Sequence, residues 1–530
     1  MATRFETTGK EGSEFLGHPT GLFVLFFAEM WERFSYYGMR ALLIFYLVQH
    51  WLFSDSEASI IYGAYTALVY ITPVIGGYIA DKYLGQRKAV LFGAVLLTFG
   101  HFLMAFEGGG GQTDAAINIF WLALAFIIVG SGFLKANISV IVGQLYSRTD
   151  IRRDPAYTIF YMGINLGAAG GAIIAGWLGQ TYGWSYGFGA AGFGMLLGLI
   201  VFVWGKPYLL GRGESSDPAR LAAPVMGIKF EWLLYLCGFA AVALCWVLIQ
   251  YQSLVGGLLA VAGAILVAYV VFTAVVKLPK EDRDRIFAAL YLIFGSILFW
   301  ALFEQAGSSL NLYTDRAVDR NIFGVEVPAS VFQSINAIYI FLLAPVFAIL
   351  WTWLGRRNLE PSAPFKFGLG VIQLGLGFLV LVLGANAAGA GSLTPVLFIF
   401  LIYLLHTTGE LCLSPVGLSA MNRLAPAHLA SIIMGTWFFA SATGNFAAGL
   451  IASATGGEGA GEARTIEVYS TVGWTAVGVG VAMLVIAPLV KKLMHLDTLK
   501  DDNVGDDMLG QSELGAPDAA GVNTTGEVRT

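Results

Sequence analysis

The sequence predicts an all-α membrane protein with fourteen transmembrane helices in a 6+2+6 arrangement, and three observations predict it. The first is composition. The chain of 530 residues is 57% hydrophobic and only 12% charged, with a mean hydropathy of +0.71. A soluble domain carries about twice that charged fraction. The second is the recurrence of apolar segments long enough to span a bilayer. The third is the regular alternation of basic and non-basic loops between them.

The apolar segments lie near residues 20–50, 57–81, 88–106, 117–147, 156–180, 185–204, 229–251, 255–277, 285–315, 328–355, 367–385, 394–423, 429–454 and 467–491. Several exceed the roughly 20 residues that a bilayer requires, so they are expected to tilt or to protrude into water. One set of loops carries Lys82, Arg87 and Lys88, then Arg148, Arg152 and Arg153, then Lys206, Arg212 and Arg220. It continues through Lys277, Lys280, Arg283 and Arg285, Arg356, Arg357 and Lys366, Arg423, and Lys491 and Lys492. The other set contains only Arg316, Arg320 and Arg464. The positive-inside rule places the first set, and both termini, in the cytoplasm.

The loop KPYLLGRGESSDPARLAAP, 206–224, separates six helices from the rest. The segments 229–251 and 255–277 lack intramembrane charge and read as lipid-facing additions. The expected organisation is a polar tail at 1–19, a six-helix bundle at 20–205 and a linker with two extra helices at 206–280. A second bundle follows at 281–495, with a disordered acidic tail at 496–530. A 6+2+6 plan is the major-facilitator architecture with two added helices, its halves facing each other across a central site.

Several function classes are excluded or disfavoured. There is no GxxxxGK[ST] motif for an ATP-driven pump. There is no nucleophile–base constellation, so the chain is not expected to be an enzyme, and no metal-ligand spacing or cofactor motif is present. Cys237, Cys245 and Cys412 sit in apolar runs without CxxC spacing and read as small buried hydrophobes. The N-terminus has no apolar core with a cleavage site, so no secretory signal is expected. The sequon at 523–525 falls on the cytoplasmic side, where it carries no glycan.

Ionisable residues inside spans are costly and usually functional. In EMWERFSYYGMR, residues 29–40, Glu29, Glu32, Arg33, Tyr36, Tyr37 and Arg40 fall within an arc of about 140° at 100° per residue. So many titratable groups on one stripe exceed what packing needs, and the stripe reads as a proton-and-substrate face. Lys135 and Glu410 are opposite charges, one per half, in the inner parts of their helices. They are expected to close the inner end as a pair. Arg40 and Asp315, likewise one per half, are candidates for an outer gate, and Glu304 is a further intramembrane acid. His50, His101 and His406 lie in or near spans, where packed or interfacial roles are expected; His406, one turn before Glu410, is placed to tune it.

At these residues the chain resembles the proton-coupled oligopeptide transporters. EMWERFSYYG is similar to that family's ExxERFxYYG signature, and GGYIADKYLGQRK, 76–88, to its second-loop motif. FYMGINLGA, 160–168, looks like its helix-five signature, and FWALFEQ, FQSIN and GELCLSPVGLS like its later segments. The likeness runs from about Gly17 to about Met494. It implies a symporter of di- and tripeptides in the bacterial inner membrane, expected to act as a monomer, with peptides, protons and the bilayer as partners and no nucleic acid. By position, Glu29, Glu32 and Arg33 would couple protons, with Glu304 as a further protonation site. Arg33 and Lys135 would face the peptide carboxylate, and Glu410, Asn165 and Asn336 its amine and backbone. Tyr37, Tyr70, Trp300 and Trp437 would line side-chain pockets, with Ser414 and Ser441 also counted among the binding residues. Ala136 and Ala337 stand where the family often has Pro, so those two helices are expected to bend less.

The substrate also follows from charge. A short peptide is a zwitterion and needs a cation on one wall and an anion on the opposite one. A proton-coupled nitrate or other small-anion carrier would want net positive charge and little use for Glu410. A peptide sensor without transport is disfavoured by the complete set of charges.

Overall fold

Backbone polar groups inside a bilayer have no water to pair with, so each apolar segment closes its own hydrogen bonds as a helix. The computed structural model describes residues 13–147, 150, 152–389, 391–426, 429–456 and 461–496. The expected tails at 1–12 and 497–530, with the sequon, lie outside the described residues.

Among the described residues fourteen helices have nineteen residues or more. They are α1 (Thr20–Phe45), α2 (Asp55–Ile79), α3 (Gln86–Met104), α4 (Ile117–Gln144), α5 (Arg153–Tyr182), α6 (Trp184–Trp204) and α7 (Phe230–Gln250). The second set is α8 (Gln252–Lys277), α9 (Lys280–Phe303), α10 (Ser334–Gly355), α11 (Ala363–Ala388), α12 (Leu397–Leu424), α13 (Ala430–Ser453) and α14 (Glu462–Leu493). Twelve are long and apolar enough to cross a membrane. The other two are α1, with its four ionisable side chains, and α13, whose run is interrupted by Thr436, Ser441, Thr443 and Asn445.

Local chemistry sets several boundaries. Glu57 N donates to the Ser54 hydroxyl and Ser54 N donates to the Glu57 carboxylate, a reciprocal cap that starts α2. The expected segment 20–50 is α-helical to Phe45 and then widens into a π turn, Tyr46–His50. The expected segment 285–315 is broken: α9 ends at Phe303, a tighter turn covers Glu304–Gly307, and a short helix resumes at Ser309–Ala317. Gly307 lies at the hydroxyl end of Tyr62, and a Cβ there would collide with that hydroxyl.

The apolar interior divides in two. One cluster gathers buried side chains of α1–α6, the other those of α9–α14. The two added helices touch both. Val242, Cys245 and Ile249 of α7 join the first cluster, whereas Val270 and Ala274 of α8 join the second. Lys88 holds Glu231 at the start of α7 at 2.7 Å, and Gly256 and Gly263 of α8 lie against Phe446 and Phe439 of α13. The expectation of lipid-facing helices fits their many exposed apolar side chains, but they also straddle the seam between the halves.

Where halves meet, small residues bring backbones together. A Cβ on Gly63 of α2 would lie 2.7 Å from the Gly449 Cα of α13. The linker docks on the loop between α2 and α3: Arg87 N donates to Gly213 O at 2.8 Å, Arg87 pairs with Glu214, and Ser215 Oγ donates to Tyr83 O at 2.6 Å. That loop and residue 13 lie at one end of the molecule, the near end; the opposite end is the far end.

Candidate functional site

The stripe on α1 folds as its spacing requires. Arg33 Nε pairs with Glu29 one turn earlier and lies 3.1 Å from Glu32 Oε2. All three side chains are buried. The second oxygen of Glu29 and the first of Glu32 have no hydrogen-bond partner among the described residues. One guanidinium thus serves two carboxylates, an arrangement with room for a proton.

Lys135 of α4 is 2% exposed and makes no ion pair or hydrogen bond among the described residues. Its Nζ lies 3.6 Å from the centroid of the Tyr36 ring and 5.6 Å from that of Tyr70. Arg33, Glu32 and Glu29 are within its electrostatic reach. On the other half Glu410 of α12 is 7% exposed. Asn336 Nδ2 of α10 donates to Glu410 Oε2 at 3.0 Å and to Thr407 Oγ1 at 3.1 Å. The expected Lys135–Glu410 ion pair is not formed. Lys135 is drawn onto the tyrosines of α1 and α2, and Glu410 onto the amide of its own half.

The structure forms a different outer pair from the one expected. Arg40 bonds Tyr62 through Nε at 2.5 Å and pairs through Nη2 with Glu304, not with Asp315. The break after Phe303 presents Glu304 to Arg40 and carries Asp315 past it. Asp315 lies instead 3.5 Å from Arg320 of the following hairpin. A second bond between halves was not foreseen: Arg316 grips Asp55 with both nitrogens, Nη2 to Oδ1 at 2.9 Å. Asn311 Nδ2 donates to Ala41 O at 3.1 Å, and Ser330 N donates to Gln180 Oε1 at 2.9 Å. Among described residues, every hydrogen bond and ion pair joining the halves lies from Arg40 towards the far end.

Tyr37 packs edge-on against Tyr36, and the Arg40 guanidinium lies 5.9 Å from its ring centroid. Asn165 of α5 donates to Tyr161 O at 3.1 Å, and Tyr161 itself lies within reach of Glu410 and Tyr37. Tyr161 was missed; the signal was its place one turn before Asn165 in FYMGINLGA. Trp300 packs against Gly444, and its indole N–H has no hydrogen-bond partner among the described residues. Trp437 packs against Gly417 and Phe367. Ser414 Oγ is buried without a hydrogen-bond partner among the described residues, whereas Ser441 Oγ donates weakly to Trp437 O at 3.5 Å. His406 turns away from Glu410: Nε2 lies 3.3 Å from Leu374 O and the ring packs on Phe378.

Two helical bundles, bonded at one end and presenting buried charges to each other along their facing helices, define a secondary transporter of the major-facilitator type. The chain belongs to the POT family of proton-coupled oligopeptide transporters, whose family model matches residues 87–459. It is 36% identical over 479 residues to the peptide transporter YePEPT of Yersinia enterocolitica, covering 85% of this chain and 90% of that one. It is 32% identical to a di-/tripeptide transporter of Lactococcus lactis, over 92% and 99% of the two chains. A crystal structure of a peptide transporter POT in complex with sulfate matches with a TM-score of 0.80 at 35% identity, over 91% of this chain and 97% of that one. A POT family transporter in complex with a thioalcohol-conjugated peptide matches at 0.77 and 32%, over 90% and 98%. With its bacterial relatives and apolar helices, the chain is a multi-pass protein of the inner membrane.

Proposed function

We propose that this protein carries di- and tripeptides into the cytoplasm with protons, by alternating access between its halves. One observation carries the reading. Lys135 and Glu410 are buried, opposite in sign and on different halves, and neither has an ion-pair partner among the described residues. Burying a charge without a counter-ion is costly, so such a site favours a ligand that brings both. A peptide zwitterion does so, with its carboxylate to Lys135 and its amine to Glu410. Asn165 and Asn336 read its backbone, Tyr37, Tyr70, Trp300 and Trp437 accommodate its side chains, and Ser414 and Ser441 add hydroxyls. Such walls suit variable residues, and the homologous peptide transporters support the choice of substrate.

Glu29, Glu32 and Glu304 are the proposed proton carriers, with Arg33 and Arg40 as their cations. The Arg40–Glu304 pair requires an ionised Glu304, so a proton there removes a bond between the halves and allows the far end to part. Loss of the proton reseals it. The basic loops make the near end cytoplasmic. The far-end bonds therefore support an inward-facing form, in which substrate and protons leave towards the cytoplasm. Residues 20–205 and 281–495 are the proposed moving halves, 206–280 their connection, and one chain the working unit. One charge crossing ~100 mV supplies ~2.3 kcal/mol. One pH unit adds roughly 1.4 kcal/mol. The sum, about 3.7 kcal/mol per proton, supports accumulation of several hundredfold.

Competition in proteoliposomes tests the substrate class. Unlabelled dialanine and trialanine are expected to suppress uptake of labelled dialanine, while nitrate at the same concentration leaves it unchanged. Suppression by nitrate but not by trialanine would transfer the site to the small-anion reading.

A further inference from the structure

Lys135 is a buried cation that no carboxylate among the described residues holds, and the question is what keeps it in place. Arg33 already occupies the nearby acids, pairing with Glu29 and lying 3.1 Å from Glu32. The closest group to Lys135 Nζ in the observed contacts is the face of Tyr36, 3.6 Å from the ring centroid. Tyr36 is completely buried, and its hydroxyl has no hydrogen-bond partner among the described residues. The ring itself, rather than its oxygen, is therefore what Tyr36 offers. Tyr37 packs edge-on against it at 5.3 Å and 82°, which fixes the plane it presents to α4. Tyr70, half-buried, stands 5.6 Å from the same ammonium.

We infer that Tyr36 is a positioning residue: its aromatic face holds the Lys135 ammonium by cation–π attraction, ready for the carboxylate of a peptide. This rests on the proposed role of Lys135 as the carboxylate's partner. The physical logic is one of graded strength. A desolvated ammonium over an aromatic face is held appreciably, yet much less tightly than in a buried ion pair. Were Lys135 paired to Glu29 or Glu32, substrate would have to break a buried salt bridge. Parked on Tyr36, it stays in place without a permanent counter-ion, and an arriving carboxylate takes it over. The two basic groups thereby divide their tasks: Arg33 serves the acids of α1, and Lys135 serves the substrate.

The test measures dialanine affinity and thermal unfolding of the purified full chain. Tyr36→Phe keeps the ring and is expected within about twofold of wild type. Tyr36→Leu removes the face and is expected to weaken dialanine at least tenfold. Tyr36→trifluorophenylalanine keeps the shape of the Phe variant but depletes the negative potential of its face, so it is expected to weaken binding several-fold with unfolding unchanged. In a Lys135→Ala background, the trifluoro residue is expected to have no further effect relative to Phe. A Phe variant as weak as Leu, or a trifluoro variant as tight as Phe, would overturn the inference. Failure of the underlying reading looks different: dialanine amide, which lacks the carboxylate, would bind wild type as well as dialanine does, or Lys135→Ala alone would leave affinity unchanged.

Discussion

Arg33 stands between two acids of its own helix, while Arg40, two turns on, reaches across to the other half. That division was partly legible: a period of 100° per residue places all four charges of α1 on one face. The partner of Arg40 was not, because Glu304 and Asp315 are both acids near the outer part of one expected helix. Only the break at Glu304–Gly307 decides between them, and its signal was the run GSS after EQA. The consequences differ by residue. Glu29→Gln or Glu32→Gln is expected to abolish uptake driven by a pH gradient while counterflow of peptide partly survives; full gradient-driven uptake in both variants would contradict their coupling role. Arg40 and Glu304 side chains are 8% and 4% exposed, against 48% and 27% for Arg316 and Asp55. Breaking a buried pair costs about 3–5 kcal/mol. An exposed one is worth about 0–1 kcal/mol. Arg40→Ala should therefore lower uptake by two orders of magnitude or more, and Arg316→Ala by no more than about fivefold. Equal losses in the two variants would show that burial does not rank these bonds.

At the scale of helices, the apolar segments were legible in sequence, twelve of the long helices being apolar enough to cross a membrane, and their boundaries mostly shifted by a few residues. What hydropathy could not convey was how helices cross, since that depends on which small residues face each other. Gly63 and Gly449 are ordinary apolar-run glycines in sequence, yet they set the approach of α2 to α13. Gly63→Ala places a methyl 2.7 Å from the Gly449 Cα. Overpacking of this kind costs about 1–3 kcal/mol. Uptake is expected to fall about tenfold, and a cysteine pair introduced by Asp55→Cys and Arg316→Cys should cross-link less readily in the Gly63→Ala background. Undiminished cross-linking and uptake would mean that the crossing tolerates the methyl. Tyr161 was hinted at only by its one-turn spacing from Asn165; that it comes within reach of Glu410 of the other half is a product of the assembled fold.

Across the whole molecule, the halves are bonded from Arg40 to the far end, and Lys135 and Glu410, one in each half, form no ion pair with each other. The added helices bridge the seam beside α2 and α13, a placement invisible in sequence because their composition reads only as apolar. The charge content of the facing helices was legible, since a charge inside a span is conspicuous wherever it occurs. The proposed transport cycle requires this charge pattern to couple peptide entry to protons. Proteoliposomes given an inward proton gradient and labelled dialanine test it most directly. The expected result is accumulation above the external concentration that collapses when a protonophore is added; dialanine that only equilibrates, with or without the gradient, would contradict it.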